Sequence, residues 1–296
     1  MRHLFIINPV AGKGKTLALI PEINRFFKER EDEHIIEITK RPGHAVEIAR
    51  EYSKKEAMRI YSIGGDGTLN EVLNGMAKSD SVLGIIPCGS GNDFIKSLTE
   101  ITDMNLILKN TIYGSTVPVD LCSVNGRYFI NIASIGFDAE VVLNSHYFKK
   151  LPGISGSMAY ILGIFTSVIK RNIRRIEINI DNIKVINTDV LLVAIANGRY
   201  YGGGMLAAPD ARLNDGEFDV CVIGKMSRLK ILMFFPKFIK GEHGTFKEVE
   251  FFKARSISIN SYTEFPQNID GEVSIAKKVV CDIIPGGVKV IVPIKL

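Results

Sequence analysis

Apolar residues in the first 118 positions fall in short runs, at 4–7, 35–38, 60–63 and 82–86. Between and after them lie stretches with helical spacing, roughly 16–30, 44–54, 68–77, 92–98 and 103–109. Alternation of this kind predicts a parallel sheet with helices on both faces, a three-layer α/β domain. Pro21 falls inside the first helical stretch and should kink or interrupt it. From Val119 the pattern changes to strands, at 119–124, 128–135, 174–181, 188–196, 217–223, 249–259, 278–284 and 288–293. Turn signals such as Asn125-Gly126, Asp215-Gly216 and Gly286-Gly287 punctuate them. Helical patterns interrupt only near 157–171 and 227–240. The expectation is an α/β domain over 1–118 and a mainly antiparallel β-sandwich over 119–296, the last residues returning to the first domain.

The most specific stretch is Gly64-Gly65-Asp66-Gly67-Thr68, directly after the apolar segment 59–63. Glycines at a strand end let the backbone approach a ligand closely. Thr68 and Glu71 have capping-box spacing, which predicts a helix start there. Strand, glycine turn and helix N-terminus together favour phosphate. Asp66 inside that turn would repel phosphate unless a divalent cation sits between them. On this motif alone, an ordinary βα turn with Asp66 bonded to its own loop is an equal reading.

A second glycine-rich turn, Gly89-Ser90-Gly91-Asn92-Asp93-Phe94, follows the strand at 82–86, with Asp93 as a second carboxylate. A third follows the first strand: Asn8-Pro9-Val10-Ala11-Gly12-Lys13-Gly14-Lys15-Thr16. It is not a Walker A loop, because Pro9 stands where the first glycine belongs. Nor is it a dinucleotide fingerprint, because Leu17 replaces the third glycine. Lys13, and less directly Lys15, are cations available to phosphate, or simply solvated. Three loops at strand ends should converge on one edge of the parallel sheet, where open α/β sheets bind ligands.

In this order, Asn8-Pro9 with Gly12, Gly64-Gly65-Asp66-Gly67-Thr68 with Asn70-Glu71, and Gly89-Ser90-Gly91-Asn92-Asp93-Phe94 resemble the diacylglycerol kinase catalytic domain family. Its relatives include sphingosine and ceramide kinases, soluble bacterial lipid kinases and NAD kinase. The resemblance continues through 129–139, Leu213-Asn214-Asp215-Gly216-Glu217-Phe218 and Ile269-Asp270-Gly271-Glu272, and so covers nearly the whole chain. NAD kinases share the Gly-Gly-Asp-Gly-Thr and Asn-Glu elements, and sphingosine kinases typically place Ala after the Asn of the second loop. Asn92-Asp93-Phe94 thus points to the bacterial diacylglycerol kinase side.

The resemblance implies a Mg2+- and ATP-dependent lipid kinase with its active site between the domains. It implies nucleotide contacts at Asn8, Gly12, Lys13, Thr39, Gly64, Gly65, Gly67, Thr68, Gly89, Ser90 and Asn92. Asp66 would hold the Mg2+ carried by ATP, Glu272 would be the general base, Asp93 would be a further catalytic carboxylate, and Asp270 and Glu71 would support them. Without the family, Asp270-Gly271 reads as a hairpin turn. A structural Mg2+ is implied at the Asp215 carboxylate with the carbonyls of Arg212 and Glu217, linked through water to Asp93 and Glu272. Asp138 and Asn131, on strand segments facing the cleft, are candidate lipid contacts, with a buried structural role the simpler reading for Asn131.

Composition narrows the alternatives. No apolar run approaches the roughly 18 residues that span a bilayer, and no leader peptide is evident. Cys88, Cys122, Cys221 and Cys281 are isolated, so neither a zinc site nor a disulfide framework is expected. Net charge +5 suits an anionic nucleotide or membrane surface but does not argue for nucleic acid. The expected setting is cytoplasmic, with transient association with the inner membrane face; a homodimer stays open. Segments 225–240 and 146–154 mix cations with large apolar residues, a membrane-surface composition. The plain reading of 225–240 is a helix covering the sandwich core. Diacylglycerol is the simplest acceptor, and sphingosine-like lipids, phosphatidylglycerol, undecaprenol and NAD are the alternatives. A nucleotide- or lipid-binding regulatory module is the non-enzymatic reading, against which stand the intact Asp66, Asp93 and Glu272.

Overall fold

A computed structural model describes residues 1–296 except 29, 31, 102, 152, 153, 155, 295 and 296. Its first half is built on strands β1 (His3–Ile7), β2 (His34–Ile38), β3 (Arg59–Gly64) and β4 (Val82–Pro87), all parallel in the order β2-β1-β3-β4. Every residue of β1 is buried, as expected of a strand covered on both faces. Leu4 and Ile6 pack under helices α2 (His44–Lys55) and α3 (Asp66–Met76). Phe5 and Ile7 pack under α1 (Leu19–Phe27) and α4 (Met104–Ile112) on the opposite face.

The second half is β-rich: β5 (Ser115–Val124), β6 (Arg127–Phe129), β7 (Ile132–Gly136), β8 (Arg174–Ile180), β9 (Lys184–Ala196), β10 (Tyr200–Tyr201), β11 (Met205–Leu206), β12 (Phe218–Gly224), β13 (Val249–Ala254), β14 (Ser256–Ile269) and β15 (Glu272–Val292). β14 pairs with β8 at one end and β7 at the other, and so does β9. Long strands that change partner in this way make the corners of a sandwich. Between the layers lies a core that includes Phe129, Ile178, Val193, Phe218 and Phe265. β15 then runs on into the first half, where residues 288–292 lie between β5 and β4, parallel to β4.

Several elements depart from the sequence expectation. The stretch before α1 is a kinked 3-10 segment, Ala11–Ala18, with Gly12, Lys13 and Gly14 at positive φ. Helix α1 therefore starts at Leu19, and Pro21 sits harmlessly in its first turn. The expected helix at 92–98 is a single 3-10 turn, Phe94–Ser97. The expected strand 128–135 breaks between β6 and β7, and 249–259 breaks at Arg255. The two expected strands 278–284 and 288–293 are one strand, bulged between Ile284 and Val288. A helix absent from the sequence reading, α5 (Phe137–Lys149), precedes α6 (Gly156–Lys170) and α7 (Arg228–Lys240). Asp138 therefore lies in the first turn of α5 and not on a strand. Of the segment 146–154, residues 146–149 belong to α5, while 152 and 153 lie outside the described residues.

Candidate active site

The loops leaving β1, β3 and β4 meet at the carboxyl edge of the sheet. Asn8 Nδ2 donates to Thr68 Oγ1 at 3.0 Å, tying the first loop to the second. Gly12 lies against the third loop: a Cβ there would stand 2.8 Å from the Cys88 carbonyl oxygen. Gly65 and Gly89 pack backbone to backbone, and a Cβ on Gly89 would stand 2.5 Å from the Gly65 Cα. That approach is open only to glycine. Asn92, at φ +50°, staples the third loop by accepting from Gly89 N at 2.8 Å and donating to Gly89 O at 2.9 Å.

Asp66, the first residue of α3, joins the loops after β3 and β4. Its two carboxylate oxygens accept from Asn92 N at 3.0 Å and Asp93 N at 3.1 Å. Burial pushes the Asp66 carboxyl above its usual range, and the negative charge of Asp93 adds to the shift. Asp93 is buried, pairs with Lys96 Nζ at 2.7 Å and accepts from Gly203 N at 2.8 Å.

Two cavities flank this turn. One, of about 310 Å³, is lined by Asn8, Thr39, Lys40, Gly67, Thr68 and Glu71 among others. The other, of about 180 Å³, is lined by Asp66, Gly91, Asp93, Asn131, Gly203, Asn268 and Asp270 among others. The segment Asp66-Gly67-Thr68 is thus a wall common to both. Lys13, Lys15 and Ser90 are exposed and line neither.

Glu71 does not form the expected box with Thr68. Its carboxylate reaches back to α2, accepting from Gly43 N at 2.8 Å and Ala45 N at 3.1 Å, while α3 starts two residues before Thr68. Asp270 sits on a tight turn at φ +47° with its carboxylate pointing inward. It accepts from Ile130 N, Asn131 N and Ile132 N at 3.1, 3.2 and 3.1 Å and from Asn70 Nδ2 at 3.2 Å. Burial pushes its carboxyl up to about 6 against those donors. Glu272, two residues on, is exposed and pairs with Arg127 at 2.7 Å; the same guanidinium nitrogen donates to Asn70 Oδ1 at 2.7 Å. Glu272 does not line the 180 Å³ cavity, although Asp270 and Gly271 do.

Asp215 stands apart from this cluster. Its Oδ2 pairs with Lys253 Nζ at 2.8 Å and its Oδ1 accepts from Glu217 N at 3.2 Å. Lys253 also pairs with Asp219 at 2.8 Å. One ammonium between two carboxylates leaves this trio net negative, and a cation at Asp215 would have to take the place of Lys253 on its Oδ2. Asp66 and Asp93 bring two carboxylates to one cavity wall; each oxygen accepts one donor, Lys96 among them, and keeps a second lone pair that a hard cation such as Mg2+ could use.

Past Tyr201 lies a third, apolar cavity of about 20 Å³, lined by Phe137, Tyr160, Leu192, Met205 and Phe234 among others. Asp138 also faces it. Its Oδ2 accepts from Ser134 Oγ and from Asn268 Nδ2, and burial pushes its carboxyl up to about 6. Asn131 donates through Nδ2 to Tyr200 O at 2.9 Å, a structural tie that also lines the cleft. Sequence reasoning missed Lys96, Arg127 and the turn Gly202-Gly203-Gly204, all three glycines of which have positive φ. The glycine triplet and the i,i+3 spacing of Asp93 and Lys96 were legible signals; Arg127 was not.

Residues 2–124 match the diacylglycerol kinase catalytic domain family, and residues 131–292 match the YegS C-terminal NAD kinase beta sandwich-like domain. A diacylglycerol kinase of Bacillus subtilis (strain 168) is 31% identical over 274 residues, spanning 92% of this chain and 89% of that protein. The chain belongs to the diacylglycerol kinase family. It is a kinase, and its bipartite fold agrees with solved members. A diacylglycerol kinase from Bacillus anthracis str. Sterne superposes with a TM-score of 0.72 at 23% identity, covering 98% of this kinase and 96% of that chain. An NAD kinase from Archaeoglobus fulgidus, solved in complex with ATP, gives 0.53 at 12% identity over 98% and 93% of the two chains, a likeness of fold alone.

Proposed function

We propose that this kinase transfers the γ-phosphoryl group of ATP, with Mg2+, to the hydroxyl of a lipid alcohol, most simply diacylglycerol to give phosphatidic acid. The observation that carries the reading is the shared wall. Gly67 and Thr68 face the 310 Å³ cavity while Asp66 faces the 180 Å³ one. A nucleotide in the first would direct its phosphates at the N-terminus of α3, where free N–H groups and the helix dipole favour negative charge. An acceptor hydroxyl in the second would meet the terminal phosphate across that wall.

Phosphoryl transfer needs alignment and charge neutralisation more than covalent chemistry from the protein. Bound Mg2+ would supply charge neutralisation and orientation, held by Asp66 with Asp93 behind it. Asn8, Thr39 and Thr68 would place the nucleotide. Glu272 would take the hydroxyl proton, which requires its pair with Arg127 to open so that the carboxylate can turn toward the acceptor. The apolar cavity past Tyr201 gives the acceptor's hydrocarbon an apolar neighbour. Within the described residues no helix is long and apolar enough to cross a membrane, so the lipid would be met at a surface.

The test is γ-labelled ATP with Mg2+ and mixed micelles of diacylglycerol, sphingosine, phosphatidylglycerol or undecaprenol, with NAD in parallel. Label in phosphatidic acid is the expected result. Label on another acceptor would keep the chemistry and replace the substrate; none on any, with ATP still bound, would overturn the reading.

A further inference from the structure

Helices α6 and α7 are apolar on two sides. Inwardly, Tyr160, Ile231 and Phe234 pack toward the 20 Å³ cavity. Outwardly, Phe165 and Ile169 on α6 are 56% and 65% exposed, and Leu229 and Met233 on α7 are 69% and 63% exposed. A helix covering a core should turn a polar stripe to water. The two outer stripes adjoin: Arg228 Nε donates to the Ile169 carbonyl at 2.9 Å, and Arg171 Nη1 donates to the Met226 carbonyl at 3.1 Å. Joined exposed apolar surface of this kind marks an interaction site.

The two helices and their flanks are rich in cations, of which Arg174, Arg175 and Lys230 pair with Glu140, Asp189 and Glu248 on neighbouring elements. Segments 141–176 and 220–241 contain eleven lysines and arginines and no aspartate or glutamate. Since the whole chain is only +5, the remainder is net acidic. Lys170, Lys225, Lys237 and Lys240 are exposed around the apolar stripes, and none of them forms an ion pair with a described residue. Apolar centre and cationic rim match the interior and headgroups of a bilayer carrying negative lipids.

From this segregation we infer that the outer face of α6 and α7 docks on an anionic bilayer, with Phe165, Ile169, Leu229 and Met233 entering the acyl boundary and the lysines meeting lipid phosphates. The inference rests on the lipid-acceptor reading for its purpose but not for its evidence. It places the apolar cavity directly behind the docked helices, so that a lipid chain leaving the bilayer between them would arrive at the side of Tyr201 facing away from the nucleotide.

Co-sedimentation with phosphatidylcholine vesicles, with and without phosphatidylglycerol, tests it in the absence of nucleotide and acceptor. The full chain should partition to the anionic vesicles. Phe165→Asp with Met233→Asp should lower that partitioning by at least about tenfold. Lys237→Glu with Lys240→Glu should lower it by about fivefold or more per cation, most steeply at low salt. All four positions are exposed, and unchanged thermal melts would show the variants folded. Equal binding by wild type and both double variants, or no binding by wild type, would overturn the inference. So would a concentration-dependent dimer that the Phe165/Met233 variant abolishes while its vesicle binding stays intact, which would make this face a contact between copies. Activity on a water-soluble short-chain diacylglycerol, unchanged in the variants, separates this from the kinase reading. If that activity is absent in wild type but vesicle binding follows the variants, the acceptor falls and the docking face stands.

Discussion

Asp270 is the single carboxylate whose removal should cost this protein most. It receives four donors, three of them consecutive main-chain N–H groups of the buried segment 130–132 that leads from β6 into β7. Asn70 keeps a second acceptor, the Tyr128 carbonyl at 3.2 Å, so three donors would be orphaned by Asp270→Ala. An orphaned buried donor costs about 1–3 kcal/mol, giving a gross loss of about 3–9 kcal/mol. Against this stands the burden of holding the carboxylate ionised at neutral pH. With its carboxyl pushed from 3.8 up to about 6, that amounts to about 3 kcal/mol, which the alanine variant recovers. Taking the middle of the gross range, about 6 kcal/mol, the expected net loss at pH 7 is about 3 kcal/mol, a large share of the roughly 5–15 kcal/mol typical of a domain. Asp270→Asn keeps the volume and one acceptor oxygen and should lose about half as much. Urea unfolding at pH 7 measures both, and hydrogen exchange at 130–132 should accelerate in the alanine variant before anywhere else. An Asp270→Ala midpoint within about 0.5 kcal/mol of wild type, with slow exchange at those amides, would refute the reasoning.

Gly89→Ala should weaken nucleotide binding by about tenfold or more, measured by calorimetry, because the new methyl meets the Gly65 backbone and must push apart the loops after β3 and β4. Capping by Glu71 is not local: Glu71→Ala removes the acceptor for Gly43 N and Ala45 N and should lower stability by about 1–2 kcal/mol in urea unfolding, with Glu71→Gln losing less. Asp138 titrates near 6 in the fold against 3.8 unfolded, so the folded state holds the extra proton between those values and stability falls as pH rises through them. Asp138→Asn should therefore remove a decline of about 3 kcal/mol between pH 4 and pH 6 from the unfolding profile. His3 has the opposite sign: burial lowers it from 6.5 to about 4, so its contribution is present above pH 6.5 and lost as pH falls toward 4, and His3→Gln should flatten that limb. Glu272→Ala should abolish turnover and leave ATP affinity within a few-fold; retained activity would remove Glu272 from the role of base.

Much of this was legible in the chain, and what was not has identifiable causes. The parallel strands announced themselves because a strand covered on both faces is apolar throughout, as β1 is. The three glycine loops were readable because close approach of backbones leaves no room for a Cβ at Gly89 and little at Gly65. Helix α5 was hidden because its inward face carries Asp138, Glu140 and Ser145, so its apolar periodicity is blurred. Glu140 is accommodated there by Arg174 at 2.6 Å and Asn172 at 3.0 Å, partners more than thirty residues away. Glu71 misled for a similar reason: its spacing from Thr68 fits a local box, yet the donors it serves lie 26 and 28 residues earlier. Arg127 and Lys253 look like ordinary surface cations until the fold brings Glu272 and Asp215 beside them, whereas Lys96 stands only three residues from its partner Asp93. Local rules capture turns, caps and periodicity; long-range pairing of charges leaves no trace in spacing.

The course of β15 also bears on how the molecule is made. Its residues 288–292 fill the gap between β4 and β5, so the parallel sheet that begins at residue 3 stays incomplete until the chain has been synthesised almost 290 residues further. During translation, β4 would wait with one edge unpaired, a surface open to mispairing or to a chaperone. Contacts so distant in sequence slow folding and bind the fate of the two halves together. A stop before residue 288 would deprive the parallel sheet of a strand although every loop at its carboxyl edge had already been made.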